Sequence, residues 1–230
     1  ILNEDSLSLI DLQYHTSFPG EDIFNEQEPV APSTRALYYG LTDVPYTLLN
    51  GGTKSAHRFD YDLRPLDAAV LHVESLRDSE FWINIISQLN GTALNAEVEV
   101  SALADIPVSE LTIHVAVIER RITVDPGNNG ETTFESVVKK LLPDVAGTTV
   151  YKSWNKGEAY RIEPEWDIQN VYDPEELRIV AFIQDESTRE VYQAAMDTVD
   201  IITGIEDLLP GDWGGNAFVI YPNPAIREAR

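Results

Sequence analysis

Between residues 81 and 199 the apolar side chains recur at every second position, and few folds accommodate that period. In 93–103, Leu94, Ala96, Val98 and Val100 alternate with Asn95, Glu97, Glu99 and Ser101. Successive strand residues point to opposite faces, so this run predicts a strand with one covered face and one wet face. Leu111, Ile113, Val115 and Val117 alternate in the same way with Thr112, His114, Ala116 and Ile118, which places His114 on the polar side, exposed. Residues 177–183 and 191–195 supply two more strands. Asn90-Gly91 is the turn expected between paired strands, and Asn129-Gly130 marks a second turn. Several one-faced strands with short turns predict an antiparallel, immunoglobulin-like β-sandwich. One helix should interrupt it, because Phe134, Val137, Val138, Leu141 and Leu142 stand at helical spacing before Pro143.

The first eighty residues are patterned differently. Residues 7–14 are mostly apolar and read as a strand buried on both faces. Ser33 or Pro32 can open a helix through Ala36, Leu37 and Tyr38, which Gly40 closes. Residues 44–49 read as a second strand, ended by Asn50-Gly51-Gly52. Pro65 suits the start of a helix through Ala69, Val70, Val73 and Leu76. After residue 199, Pro210-Gly211-Asp212-Trp213-Gly214-Gly215 and the loss of period read as a linker.

Charge and composition remove whole classes of chemistry. The 39 acidic residues against 16 basic ones give −23, a field that repels phosphate backbones and anionic lipid. Solubility is the first reading of this acidity, and a surface that collects divalent cations is the second. Cysteine is absent, which excludes thiol nucleophiles, CxxC redox pairs and disulfides. A chain of 230 residues does not need them, since it buries roughly 70% of its unfolded surface. No apolar run approaches the roughly 20 residues that span a bilayer. Neither a phosphate loop, a GxSxG elbow nor HExxH occurs.

The four histidines, His15, His57, His72 and His114, show no metal-ligand spacing. His15 ends an apolar run beside Thr16 and Ser17, so it is the candidate around which a spatially assembled Ser/His/Asp site would form. Residues 125–131 partly resemble a calcium loop. The EF-hand pattern needs an oxygen ligand at its third place and Glu at its twelfth, and here Gly127 and Ser136 stand there. A strand-to-helix loop is the better reading, with a weak extracellular calcium site on Asp125 and Asn129 kept as an expectation. No other cofactor is expected. Trp82, Trp154, Trp166 and Trp213 serve either as core or as a sugar-stacking platform. Asn90-Gly91-Thr92 is also a glycosylation sequon.

Residues 39–52, Tyr39-Gly40-Leu41-Thr42-Asp43-Val44-Pro45-Tyr46-Thr47-Leu48-Leu49-Asn50-Gly51-Gly52, resemble the second half of a thioredoxin fold. The resemblance makes Pro45 the counterpart of that family's cis-proline, with no CxxC before it. Together with Gln13-Tyr14-His15-Thr16-Ser17-Phe18-Pro19-Gly20, Val137-Val138-Lys139-Lys140-Leu141-Leu142-Pro143 and Val180-Ala181-Phe182-Ile183-Gln184-Asp185, the order is similar to the outer-membrane-protein-28 family of bacteria. That family joins a thioredoxin-like region to an all-β region. Thr203-Gly204-Ile205-Glu206 and then Tyr221, Pro222, Asn223 and Pro224 resemble the opening of a type IX secretion sorting domain.

The expected fold class is therefore α+β. A partial thioredoxin-like α/β segment (1–80) precedes the antiparallel sandwich (81–199), and a linker with a truncated sorting-domain start (200–230) follows. The expected function is a non-catalytic binding or scaffolding module, secreted or on the outer-membrane surface. Its partner would be a protein or a glycan, not nucleic acid. It would not span a membrane, and a homodimer would cover a bare sheet edge. The alternative is a fragment of a thiol oxidoreductase whose CxxC lies upstream, and a hydrolase around His15 comes third.

Overall fold

The structure is a computed structural model, and it describes residues 9–61, 65–108, 110–124 and 130–202. In chain order the elements are α1 (Ile23–Gln27), α2 (Val30–Tyr39), β1 (Thr47–Leu48), β2 (Arg58–Phe59), α3 (Ala68–Ser75), β3 (Phe81–Asn90), β4 (Ala93–Ala102), β5 (Leu111–Thr123), β6 (Thr133–Leu142), β7 (Thr148–Val150), β8 (Ala159–Ile162), β9 (Glu165–Asp167), β10 (Leu177–Gln184), β11 (Val191–Thr198) and β12 (Asp200–Ile201). The fold is mainly β, with three short α-helices ahead of β3. Among the described residues no helix is long and apolar enough to cross a membrane.

The period of two becomes a hairpin. β3 alternates strictly between buried and exposed positions. Asn90 pairs with Ala93 across Gly91 and Thr92. Gly91 takes the first loop position at φ +60°, where a side chain would be strained. β3 and β4 form one sheet with β8, β9 and β12, and β5, β6, β7, β10 and β11 form another. Their inner faces share a core of Phe81, Ile83, Val98, Val100, Ile113, Val115, Ile179 and Ala181. Trp154 is buried in it, 5.4 Å from the ring of Phe81. Trp166 packs partly buried against the same core and Trp82 is exposed, so the three described tryptophans are split between core and surface; Trp213 lies outside the described residues.

The second sheet is covered on both faces, and this overturns two expectations. Ala31 of α2, with Ile10, Leu12 and Tyr14, packs on its outer side against Ala116, Ile118, Val138, Leu141 and Val180. His114 is consequently buried, 2% exposed, because the face that alternation marks as polar lies under this layer. The helix expected over 134–142 is strand β6, paired antiparallel with β5. Leu142 enters the inter-sheet core while Leu141 and Val138 turn to the α2 layer. Adjacent apolar residues bound for opposite faces imitate i, i+3, i+4 spacing. A register shift opposite Val117/Ile118 displaces the pattern further. Residues 125–131 thus lie between two strands, not between a strand and a helix.

The residues before β3 form short pieces. Residues 9–14 are not a ladder strand. Gln13 makes a single parallel bridge to Val137, while Ile10, Leu12 and Tyr14 turn inward. Glu28 Oε1 accepts from the Ala31 amide at the start of α2. Gly40 ends that helix at φ +68°, its amide donating to the carbonyls of Ala36 and Leu37. β1 is two residues long and pairs antiparallel with β2. Asp67 caps α3 through the Ala69 amide, so that helix starts three residues after Pro65. At the other end Val199 is buried in the core, and Asp200–Ile201 pair parallel to β3. The sheet therefore continues past residue 199, where a linker was expected.

Candidate binding surface

The polar clusters are structural joints. His15 Nδ1 lies 2.8 Å from Asp22 Oδ2, and its ring packs edge-on to Phe24 and Phe134. Asp22 also caps α1 by accepting from the amides of Phe24 and Asn25. The Asn25 side chain returns a bond to the His15 carbonyl. His15 Nε2 has no hydrogen-bond partner, so no hydroxyl meets the imidazole where a nucleophile would have to stand. The Val44–Pro45 peptide is cis, as are Phe18–Pro19 and Leu142–Pro143. Asp125, Asn129 and the Tyr221, Pro222, Asn223, Pro224 motif lie outside the described residues. Among the described residues no cluster of His, Asp and Glu is arranged to hold a metal.

Three joints were not legible in the sequence. Glu119 and Lys139 are buried with Oε2 and Nζ 3.7 Å apart. Burial pushes the carboxyl up and the ammonium down, against their mutual attraction. Glu119 also accepts from the amides of Tyr172 and Asp173, and Lys139 stands 4.9 Å over the Tyr172 ring. His114 stacks on Phe182 and sets Nε2 2.8 Å from Glu186 Oε1. Burial holds its pKa below the ordinary value. The buried imidazole of His57 meets Glu74, which also accepts from Lys54 and Arg77. Against the upward push of burial, those bonds bring the Glu74 carboxyl down to about 2. Each joint connects distant stretches of chain.

A cavity of about 50 Å³ beside Phe24, Gln27, Lys139 and Trp166 falls below the roughly 300–1,000 Å³ of ligand sites. A groove of about 340 Å³ falls within that range. One bank is Trp82, Ile83, Asn84 and Ile85 of β3, and the other is 193–197 of β11.

Topology produces this groove. β11 belongs to the second sheet, and the chain changes sheets at Val199 so that β12 pairs with β3 at Gln88 and Leu89. Among the described residues no strand pairs with that edge of β3 between Trp82 and Ser87. Nor does any strand pair with the outer edge of β11. Two free edges therefore face one groove. β3 carries no charged residue and no proline, the features that usually guard an edge. Trp82 (60%), Ile86 (52%) and Met196 (45%) are exposed around it. Glu99 and Glu97 of β4 stand opposite Asn84 and Ile86, with Asp197 on the far bank and Asp200 opposite Gln88. Arg161 bridges Glu97 and Glu99, leaving the groove's surroundings net acidic.

Comparison with known proteins yields fold likeness alone. No family model matches the chain, and no curated protein matches it. HBP35 of Porphyromonas gingivalis superposes with a TM-score of 0.60 at 13% identity, over 88% of this chain and 66% of that one. This chain thus spans slightly less than two thirds of that relative's length. A domain of the outer membrane lipoprotein Omp28 from Porphyromonas gingivalis gives a TM-score of 0.39 at 14% identity, over 55% of this chain and 93% of that one.

Proposed function

We propose that this chain is a non-catalytic binding module of an Omp28/HBP35-like group, carried at the bacterial outer-membrane surface or secreted. The observation that carries the binding reading is the groove between β3 and β11, with two edges unpaired among the described residues and an exposed Trp82. The fold likeness to HBP35 supports the group, and the lack of a partner on His15 Nε2 favours binding over hydrolysis. Residues before β3 are read as a thioredoxin-like remnant that serves as structure, on the support of the Tyr39-Gly40 and Val44-Pro45 resemblance. Export by the type IX route is inferred from the resemblance at Tyr221, Pro222, Asn223 and Pro224.

Two measurements test this reading. Intact cells making the protein are exposed to an impermeant protease, and digestion before the envelope is broken is the expected result. Protection until lysis would remove the surface assignment. Envelope proteins are then passed over the immobilised chain and its Trp82→Ser variant. Retention that depends on Trp82 is expected, and equal retention by both would put the binding elsewhere.

A further inference from the structure

We propose that the outer face of the β3–β4–β8 sheet binds a neutral saccharide, stacked on Trp82 and hydrogen-bonded by Asn84, Glu99 and Arg161. This names a ligand class for the binding reading above and rests on it. Trp82 stands on the outer face of β3, where alternation leaves it 60% exposed. The register sets Ser101 of β4 beside it, and Ala159 of β8 beside Ser101. Neither has the bulk to cover the indole, so a shelf about 10 Å wide crosses the three strands at that level. The next row along the sheet is Asn84, Glu99 and Arg161, in register on the same strands. Arg161 is held from two sides. Its Nη2 donates to Glu99 Oε2 at 3.0 Å, and its Nη1 stands 3.2 Å from Glu97 Oε1.

The chemistry of these two rows selects the occupant. A pyranose has a face of polarised C–H groups, which the negative face of an indole attracts, and a rim of hydroxyls that both donate and accept. The polar row offers both roles, because Arg161 donates, the Glu99 carboxylate accepts and the Asn84 amide does either. Hydrogen bonds to ionised groups are the strong ones, and the pairing with Glu97 and Glu99 orders the guanidinium before a ligand arrives. A protein suits this face less well. Its exposed apolar area on β3 is split, with Asn84 between Trp82 and Ile86. Protein interfaces are poor in charged residues at their cores, whereas Glu97, Glu99 and Arg161 stand in the middle of this face. A dry contact would strip those ions of water, and sugar hydroxyls replace that water instead. An acidic sugar is disfavoured, since two carboxylates flank one guanidinium on a chain of −23.

The test titrates the full chain with cellopentaose, mannopentaose, xylopentaose and maltopentaose. Binding is read by calorimetry and by saturation transfer from indole protons to sugar C–H protons. Binding of at least one of the four, with such transfer, is expected, and failure of all four overturns the proposal. For the sugar bound, at least a tenfold loss is expected in Trp82→Ala. The same loss is expected in Ser101→Ile, which fills the shelf and keeps Trp82, so one variant's folding does not decide the result. Unchanged affinity in both would overturn the site. An acidic galacturonate pentamer should bind at least tenfold more weakly, and equal affinity would overturn the choice of a neutral ligand. If no sugar binds while envelope proteins stripped of glycans are still retained through Trp82, the binding module stands with a protein on this face and the saccharide falls. If that retention also ignores Trp82, the binding reading falls with it.

Discussion

His114 is enclosed in the outer layer. Its ring lies on Phe182, its Nε2 meets Glu186, and a Cβ on Gly147, at φ +71°, would stand 2.7 Å from its Nδ1. Burial lowers its pKa from 6.5, opposed by Glu186 and reinforced by Arg35. The unfolded chain then binds the proton more readily than the folded one, so stability rises with pH in this window. His114 contributes fully above 6.5, and the contribution is lost as pH falls from 6.5 towards the depressed folded value. The loss amounts to about 1.4 kcal/mol for each unit of depression. Melts at pH 7.5 and 5.5 should show a larger drop for the natural chain than for His114→Gln. Equal drops would mean that the imidazole takes up its proton alike in the folded and unfolded states. Alternation assigns this histidine to water because the sequence shows the strand's two faces but not what later covers them.

At the scale of elements, α2 is the cover that converts a one-faced sheet into a two-faced one. Ala31 is fully buried against Ala116, Ile118, Val138, Leu141 and Val180. The close approach depends on its single methyl, so Ala31→Leu should overpack the contact and cost about 1–3 kcal/mol in a denaturant melt. No loss would mean that the helix rides loosely. The β3–β4 hairpin was legible because its outer face is wet, and the buried residues keep period two. β6 was not, because residues on both of its faces are apolar and a bulge breaks the count. The groove was illegible for another reason. β3 reads as an ordinary strand, and an unpaired edge is a property of topology, set by where Val199 sends the chain.

For the whole molecule, charge is the dominant long-range term. At −23 the folded body repels itself, and its ion pairs, such as Arg120–Glu176 and Arg161–Glu99, are mostly at the surface. Raising salt from 0.01 to 0.15 M shortens the screening length from about 30 to about 8 Å, so Tm should rise by several degrees. A falling Tm would show that attraction within pairs outweighs net repulsion. The acidity was legible at once. Its local use, as a border around an apolar strip, appears only when β4, β11 and β12 are brought beside β3.

The direction of β12 has a consequence for geometry at a distance. Because it runs parallel to β3, the last described residue, Ile202, lies at the end of β3 that leads into the Gly91 hairpin tip. Trp82 stands at the other pole of the same strand, roughly 24 Å from Leu89 at 3.4 Å per residue. A tether attached after Ile202 would therefore hold the molecule at the hairpin end and leave the Trp82 end free.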